Sequence, residues 1–260
     1  MKRKMFVIVF LCLLFSFNSS QAQIWQQIKK AAQQKGQNSS GTADQNVSME
    51  NAVLSYGKNK VDPSAVPDSY SFSWKYIMEI KTDDGKTMNA NYFLEPNAPY
   101  FAMNIDQGKG QNMMMIMDSK NNITVTGFGD GKNKMASASK MPDYQGIAKT
   151  EGQKSKYTIK TLPNKTFLGY NCKGIQMTNE QHDIICYYTS EAKVSFGDMF
   201  KNQKGWKMPD ELMNYFKPEE RTLLMDMTMK DLKSSKVTTM KCVSLEKSAF
   251  TFNKSDYKFM

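Results

Sequence analysis

Histidine is almost absent: His182 is the only one in 260 residues. A zinc site built from two or three imidazoles is therefore excluded, and Ser-His-Asp or Cys-His chemistry would have to run through His182 alone. That residue closes the stretch Asn179-Glu-Gln-His182, which reads as a turn and makes a solvated imidazole the plain expectation. Arginine is nearly as scarce, with only Arg3 and Arg221 against a formal net charge of +10. Lysine carries that charge, scattered without any block of five or six. Nucleic-acid readers use arginine for bidentate contacts to guanine and phosphate, so no nucleic-acid partner is expected. The charge permits at most peripheral contact with an anionic membrane surface. After Phe17 no stretch is apolar for long enough to span a bilayer.

Catalytic motifs are missing as well. There is no G-x-S-x-G elbow. Gly127-Phe-Gly-Asp-Gly131 is half a glycine-rich loop, with no apolar helix after it to offer an N-terminus to phosphate. Asp118-Ser-Lys-Asn-Asn122 lacks the glycine and the distal glutamate of a calcium loop. The pairs Asp83-Asp84 and Glu219-Glu220 are neighbours whose side chains diverge on strands and turns. The reading is of a protein that is not an enzyme and uses no cofactor or metal.

What is present begins with an export signal. Lys2, Arg3 and Lys4 precede an apolar run from Met5 to Phe17, followed by small residues with Ser20 and Ala22 at the −3 and −1 places. Residues 1–22 read as a signal peptide, which sends the chain to the periplasm or the extracellular space. Its removal takes three positive charges and Cys12 with it. Cys172, Cys186 and Cys242 remain. In an oxidising compartment Cys172 and Cys186, flanking a hairpin, are the expected disulfide, with Cys242 able to replace either. Residues 23–69 read as a short amphipathic helix, Ile24 to Gln34, and a polar linker.

Residues 70–260 read as one antiparallel β domain. From Tyr70 to Ile80 every even position is apolar or aromatic. This is the period of a half-buried strand. Asp83-Asp84-Gly85-Lys86 turns the chain into Thr87 to Leu94, and strands over Tyr100–Ile105, Asn112–Asp118 and Ile123–Gly127 follow at short intervals. Phe128 to Lys156 reads as a long mobile connection. Further strands are expected at Tyr157–Leu162, Gly169–Thr178, Asp183–Thr189, Arg221–Lys230 and Lys236–Leu245, with short ones at Phe250–Phe252 and Tyr257–Phe259. Residues 190 to 220 carry a helical pattern with Leu212, Met213 and Phe216. The expected fold is mainly β (α+β): a single curved sheet, a half-barrel, over a helical lid, with the N-terminal helix added.

Methionine takes the place of leucine, with 21 in the chain. Met225, Met227 and Met229 occupy alternate positions of one strand. Met113, Met115 and Met117 fall on one face of another, with Met114 and Ile116 on its reverse. The aromatic stripe Tyr70, Phe72, Trp74 and Tyr76 continues into Met78. Such a layer is either core filling or the soft wall of an apolar cavity. Trp74, Tyr76, Met78, Met225, Met227 and Met229 are the expected wall residues, and the expected partner is an apolar ligand such as a lipid or acylated envelope component. A structural or interaction protein of the envelope with a filled core is the alternative. Thioether binding of Cu(I) is a remote one, because strand spacing sets Met225, Met227 and Met229 about 6–7 Å apart in succession.

The segment Ile159-Lys-Thr-Leu-Pro163-Asn-Lys165-Thr-Phe-Leu-Gly169-Tyr170-Asn-Cys172 resembles the Gly-Tyr-x-Cys stretch of a family of secreted Gram-negative proteins, the domain of unknown function DUF4412. The strand at Tyr70–Lys81, the Met113–Asp118 run and the terminal Phe250-x-Phe252 with Tyr257 are similar to it too. The resemblance implies a LolA-like half-barrel, in outline a periplasmic carrier whose curved sheet closes over helices around an apolar cavity. Cys186, Cys242 and the long Lys201–Pro218 region depart from that pattern.

Overall fold

The structure, a computed structural model, describes residues 60–106, 112–129, 133–141, 157–200 and 220–260. The expected signal peptide, the N-terminal helix and most of the linker lie outside these residues. So does 201–219, the larger part of the expected helical lid.

Among the described residues twelve strands form one curved sheet: β1 (Ser69–Lys81), β2 (Thr87–Leu94), β3 (Tyr100–Asp106), β4 (Asn112–Asp118), β5 (Ile123–Phe128), β6 (Met135–Lys140), β7 (Thr158–Phe167), β8 (Tyr170–Thr178), β9 (His182–Thr189), β10 (Leu223–Asp231), β11 (Val237–Asn253) and β12 (Lys258–Phe259). Their spatial order is β12-β6-β5-β4-β3-β2-β1-β11-β10-β9-β8-β7. Two meanders, β1 to β6 and β7 to β11, are thus joined through the antiparallel pair of β1 and β11. Every pairing is antiparallel except the short parallel contact of β12 with β6. Short turns join most neighbours, because antiparallel strands need only a few linking residues, whereas β9 and β10 pair across residues 190–222. Among the described residues no helix is long and apolar enough to cross a membrane.

Three expectations are corrected. The region read as a mobile connection contains β6, whose alternating small residues Ala136 and Ala138 are buried. The last long strand does not stop at Leu245. It runs on to Asn253, absorbing Phe250 and Phe252, and tolerates two bulges against β1, between Phe72 and Trp74 and between Ile77 and Met78. A helical lid is not seen among the described residues, where 190–200 contributes one four-residue turn of helix, α1 (Gly197–Phe200).

The two faces of the β2–β6 half carry separate cores. Tyr92, Leu94, Phe101, Met103 and Met117 belong to the inner face, together with Tyr76, Met78, Met225 and Met227. Ala102, Met114, Ile116, Val125 and Ala138 point the other way. Ser69–Ser73 lies beyond the end of β2 and pairs only with the end of β11. This two-stranded ribbon carries Tyr70, Phe72, Phe250 and Phe252 onto the back face. Tyr70 donates from its hydroxyl to the buried Asp118 carboxylate at 3.0 Å. Phe252 stacks on Tyr257 at 4.4 Å, and Gly127 in β5 leaves room for the Tyr257 ring, 2.9 Å from where a Cβ would stand. Val66, just before β1 in the stretch read as linker, is buried in the same core. The aromatic stripe of β1 is therefore divided between two cores: Tyr70 and Phe72 at the back, Trp74 to Ile80 inside.

Candidate functional site: the inner face

Register defines the inner face row by row. One row runs Trp74, Leu94, Phe101, Met117, Thr124, Ser139. The next runs Leu245, Tyr76, Tyr92, Met103, Met115, Thr126, Ser137. Directly opposed side chains in such rows stand about 5 Å apart, so each row is a continuous strip. Across the central strands the strip is aromatic and thioether. At β5 and β6 it becomes a ladder of hydroxyls.

The segment 192–199 is laid over the central rows. Phe196 enters edge-on among Tyr76, Tyr92 and Phe101, with ring centroids at 5.7, 5.1 and 5.1 Å. Aromatic edges meeting faces in this way gain about 0.5–1.5 kcal/mol per pair beyond simple burial. Polar ties fix the segment from Ser195 to Met199. Asp198 accepts a hydrogen bond from the Asn97 backbone N–H at 3.1 Å and pairs with Arg221 at 3.3 Å. The Ser195 hydroxyl donates to the Thr222 carbonyl at 2.6 Å, and Ser119 donates to the Met199 carbonyl. Arg221, one of only two arginines in the chain, is the cation of this anchor.

All six expected wall residues fall in this one apolar cluster. Tyr76, Met78, Met225 and Met227 are fully buried, whereas Trp74 and Met229 are half-buried at its edge. A bulge in β10 between Leu224 and Asp226 turns the Leu224 carbonyl toward Tyr76, whose hydroxyl donates to it at 2.8 Å. Burial holds the Tyr76 phenol well above its usual pKa. The accessible part of the inner face lies further along, at Met113, Met115, Thr126, Ser137 and Ser139, all half-buried. The 2-residue period already placed Met113 and Met115 on one face. What it could not supply was the pairing of that face with the β5–β6 hydroxyls.

The expected Cys172–Cys186 disulfide is not formed; both are free buried thiols, as is Cys242. The register of β8 and β9 pairs Cys186 with Ile175. Cys172 is three positions further along, about 10 Å at strand rise, beyond the Cα separation a disulfide spans. Burial pushes the thiols of Cys186 and Cys242 up to about 12. Cys186, Met227 and Met240 are opposed on three adjacent strands. Among the described residues no three His, Cys, Asp or Glu side chains come together as a metal-binding group. His182 opens β9, opposite Asp231.

No family model matches the chain. No curated protein matches it either. Among solved structures, PNGF-II is similar at 13% identity and a TM-score of 0.38, over 72% of this chain and 30% of that one. MucB is similar at 7% identity and a TM-score of 0.38, over 67% and 53%. A LolA superfamily protein from Nitrosomonas europaea is similar at 12% identity and a TM-score of 0.17, over 70% and 87%. The chain thus spans about a third to a half of the length of the first two. Likenesses at these scores assign no fold family to the chain, and the site rests on its own geometry.

Proposed function

We propose that this chain is a non-enzymatic carrier or binding module for an apolar ligand, a lipid or an acylated envelope component, working after export in the periplasm or outside the cell. The observation that carries the reading is the half-exposed strip of Met113 and Met115, continuous through register with the buried aromatic and thioether layer. Met113 packs only partly against the inner core and Met115 is half-exposed beside it, and flexible thioethers adapt to varied apolar shapes. Trp74 stands at the half-buried edge of the same layer, three strands from Met117 in the adjacent row. Tyr76, Met78, Met225, Met227 and Met229 continue the same layer beneath and beyond Phe196, and an acyl chain reaches them by displacing that ring. Each methylene taken out of water contributes about 0.8 kcal/mol.

Native mass spectrometry of the purified protein after incubation with envelope lipids tests the proposal. Adducts of lipid mass that survive desolvation are expected; a clean apo mass would sink it. The second reading, an envelope interaction protein with a filled core, draws on the docking of Phe196 among the buried Tyr76, Tyr92 and Phe101. That reading expects no adduct and a protein partner recovered by cross-linking.

A further inference from the structure

We infer that the ligand is amphipathic, an acyl chain whose head group accepts hydrogen bonds through a carbonyl or carboxyl oxygen, and that Thr124, Thr126, Ser137 and Ser139 receive that head. The inference rests on the proposed apolar-ligand reading and adds the polar half of the ligand to it.

Four hydroxyls meet in two opposed pairs on the inner face, Thr124 with Ser139 and Thr126 with Ser137. They directly adjoin Met117 and Met115 on β4. Chance alternation puts serine and threonine on many wet strand faces, so the ladder alone decides nothing. Thr124 does. It is 8% exposed, and its Oγ1 is buried with no hydrogen-bond partner. A buried hydroxyl left unpaired costs about 1–3 kcal/mol, a cost that valine, of the same shape, would avoid at this position. A hydroxyl kept there is explained by a partner that arrives from outside the chain. The hydroxyl can donate or accept; the exposed Lys60 at the end of the row favours an arriving acceptor over a second donor, and the neighbouring thioethers set an apolar chain beside it. At the outer end of the same row Lys60 bridges to Ser139. An exposed ammonium there suits an acid or an ester carbonyl alike.

The test compares three probes of equal chain length, a monoacylglycerol, the free fatty acid and the alkane, in competition with a fluorescent acyl probe. The wild-type chain, Thr124→Val and Thr124→Ser are each measured. Both oxygen-bearing probes should bind the wild type about tenfold or more tightly than the alkane, the gain of one well-made buried hydrogen bond. Thr124→Val should abolish the preference, and Thr124→Ser should keep it. A preference for the monoacylglycerol over the acid assigns the head to an ester, and the reverse assigns it to a carboxylate paired with Lys60. Equal affinity for all three probes in the wild type, or a preference that survives Thr124→Val, overturns the inference while leaving apolar binding in place. Failure of every probe, the alkane included, overturns the underlying reading as well.

Discussion

Leu168 sits where leucine is rarely found. It has φ of 49° and is followed by Gly169 at 83°, so the two residues form the type I′ turn of the β7–β8 hairpin. Asparagine or glycine usually fills the first place, since a left-handed leucine costs about 1–2 kcal/mol. Its side chain is 50% exposed and makes little return in packing. Leu168→Asn should stabilise the fold by about 1 kcal/mol, read as a higher urea midpoint at unchanged slope. The buried thiols give a second expectation at this scale. Cys186 and Cys242 are held protonated by burial up to about 12, whereas in the unfolded chain a thiol ionises near 8.5. A raised folded pKa means the folded state keeps its proton longer. Their contribution is complete below about pH 8.5 and is lost as pH climbs toward about 12. The melting temperature should therefore fall across that alkaline window, and less steeply in a Cys186→Ala, Cys242→Ala double variant. Iodoacetamide applied to the native protein should leave Cys172, Cys186 and Cys242 unmodified, and should label all three after unfolding.

Among the elements, the segment 192–199 is the one whose position matters most for function. It covers the central rows, and Phe196 supplies most of the cover. Phe196→Ala should cost about 3–5 kcal/mol if the cavity stays empty. It should also open the segment to limited proteolysis, monitored as cleavage between residues 190 and 200 under native conditions. Part of this was legible beforehand: residues 190 to 220, Phe196 among them, read as the cover of the aromatic stripe. The non-helical form of 192–196 and its seat were not, because the three aromatic neighbours of Phe196 come from β1, β2 and β3, more than 90 residues away in sequence. The strands were easier to read. β1, β2, β4 and β9 follow strict alternation or clear turn signals, which are local properties of the chain. β6 was missed because Met-Ala-Ser-Ala-Ser-Lys buries only alanines, too small to register as an apolar face. The far half of β11 read as a separate short strand at Phe250–Phe252 because a bulge breaks the period between it and Leu245.

The whole molecule is a sheet with two buried faces over half its width, and that explains both what the composition revealed and what it concealed. Excess methionine pointed correctly to alternate strand positions. It could not tell that Met114 and Ile116 lie in a closed core behind the sheet while Met113 and Met115 line the inner face. That distinction depends on the ribbon of Ser69–Ser73 and the end of β11 folding across the back, a contact between distant parts of the chain. The candidate wall was likewise found as a set of residues, all in one cluster. Its accessible part, with the hydroxyl ladder beside it, emerged only from the register of β4, β5 and β6. The same two-sidedness supplies an internal control. Methyl NMR of the protein labelled at the methionine methyls, titrated with a single-chain lipid, measures the occupied face directly. Occupation of the inner face predicts that the Met113 and Met115 signals shift with saturation while that of Met114, their neighbour on the closed back face, stays in place. No shift at Met113 and Met115, or an equal shift at all three, would contradict it.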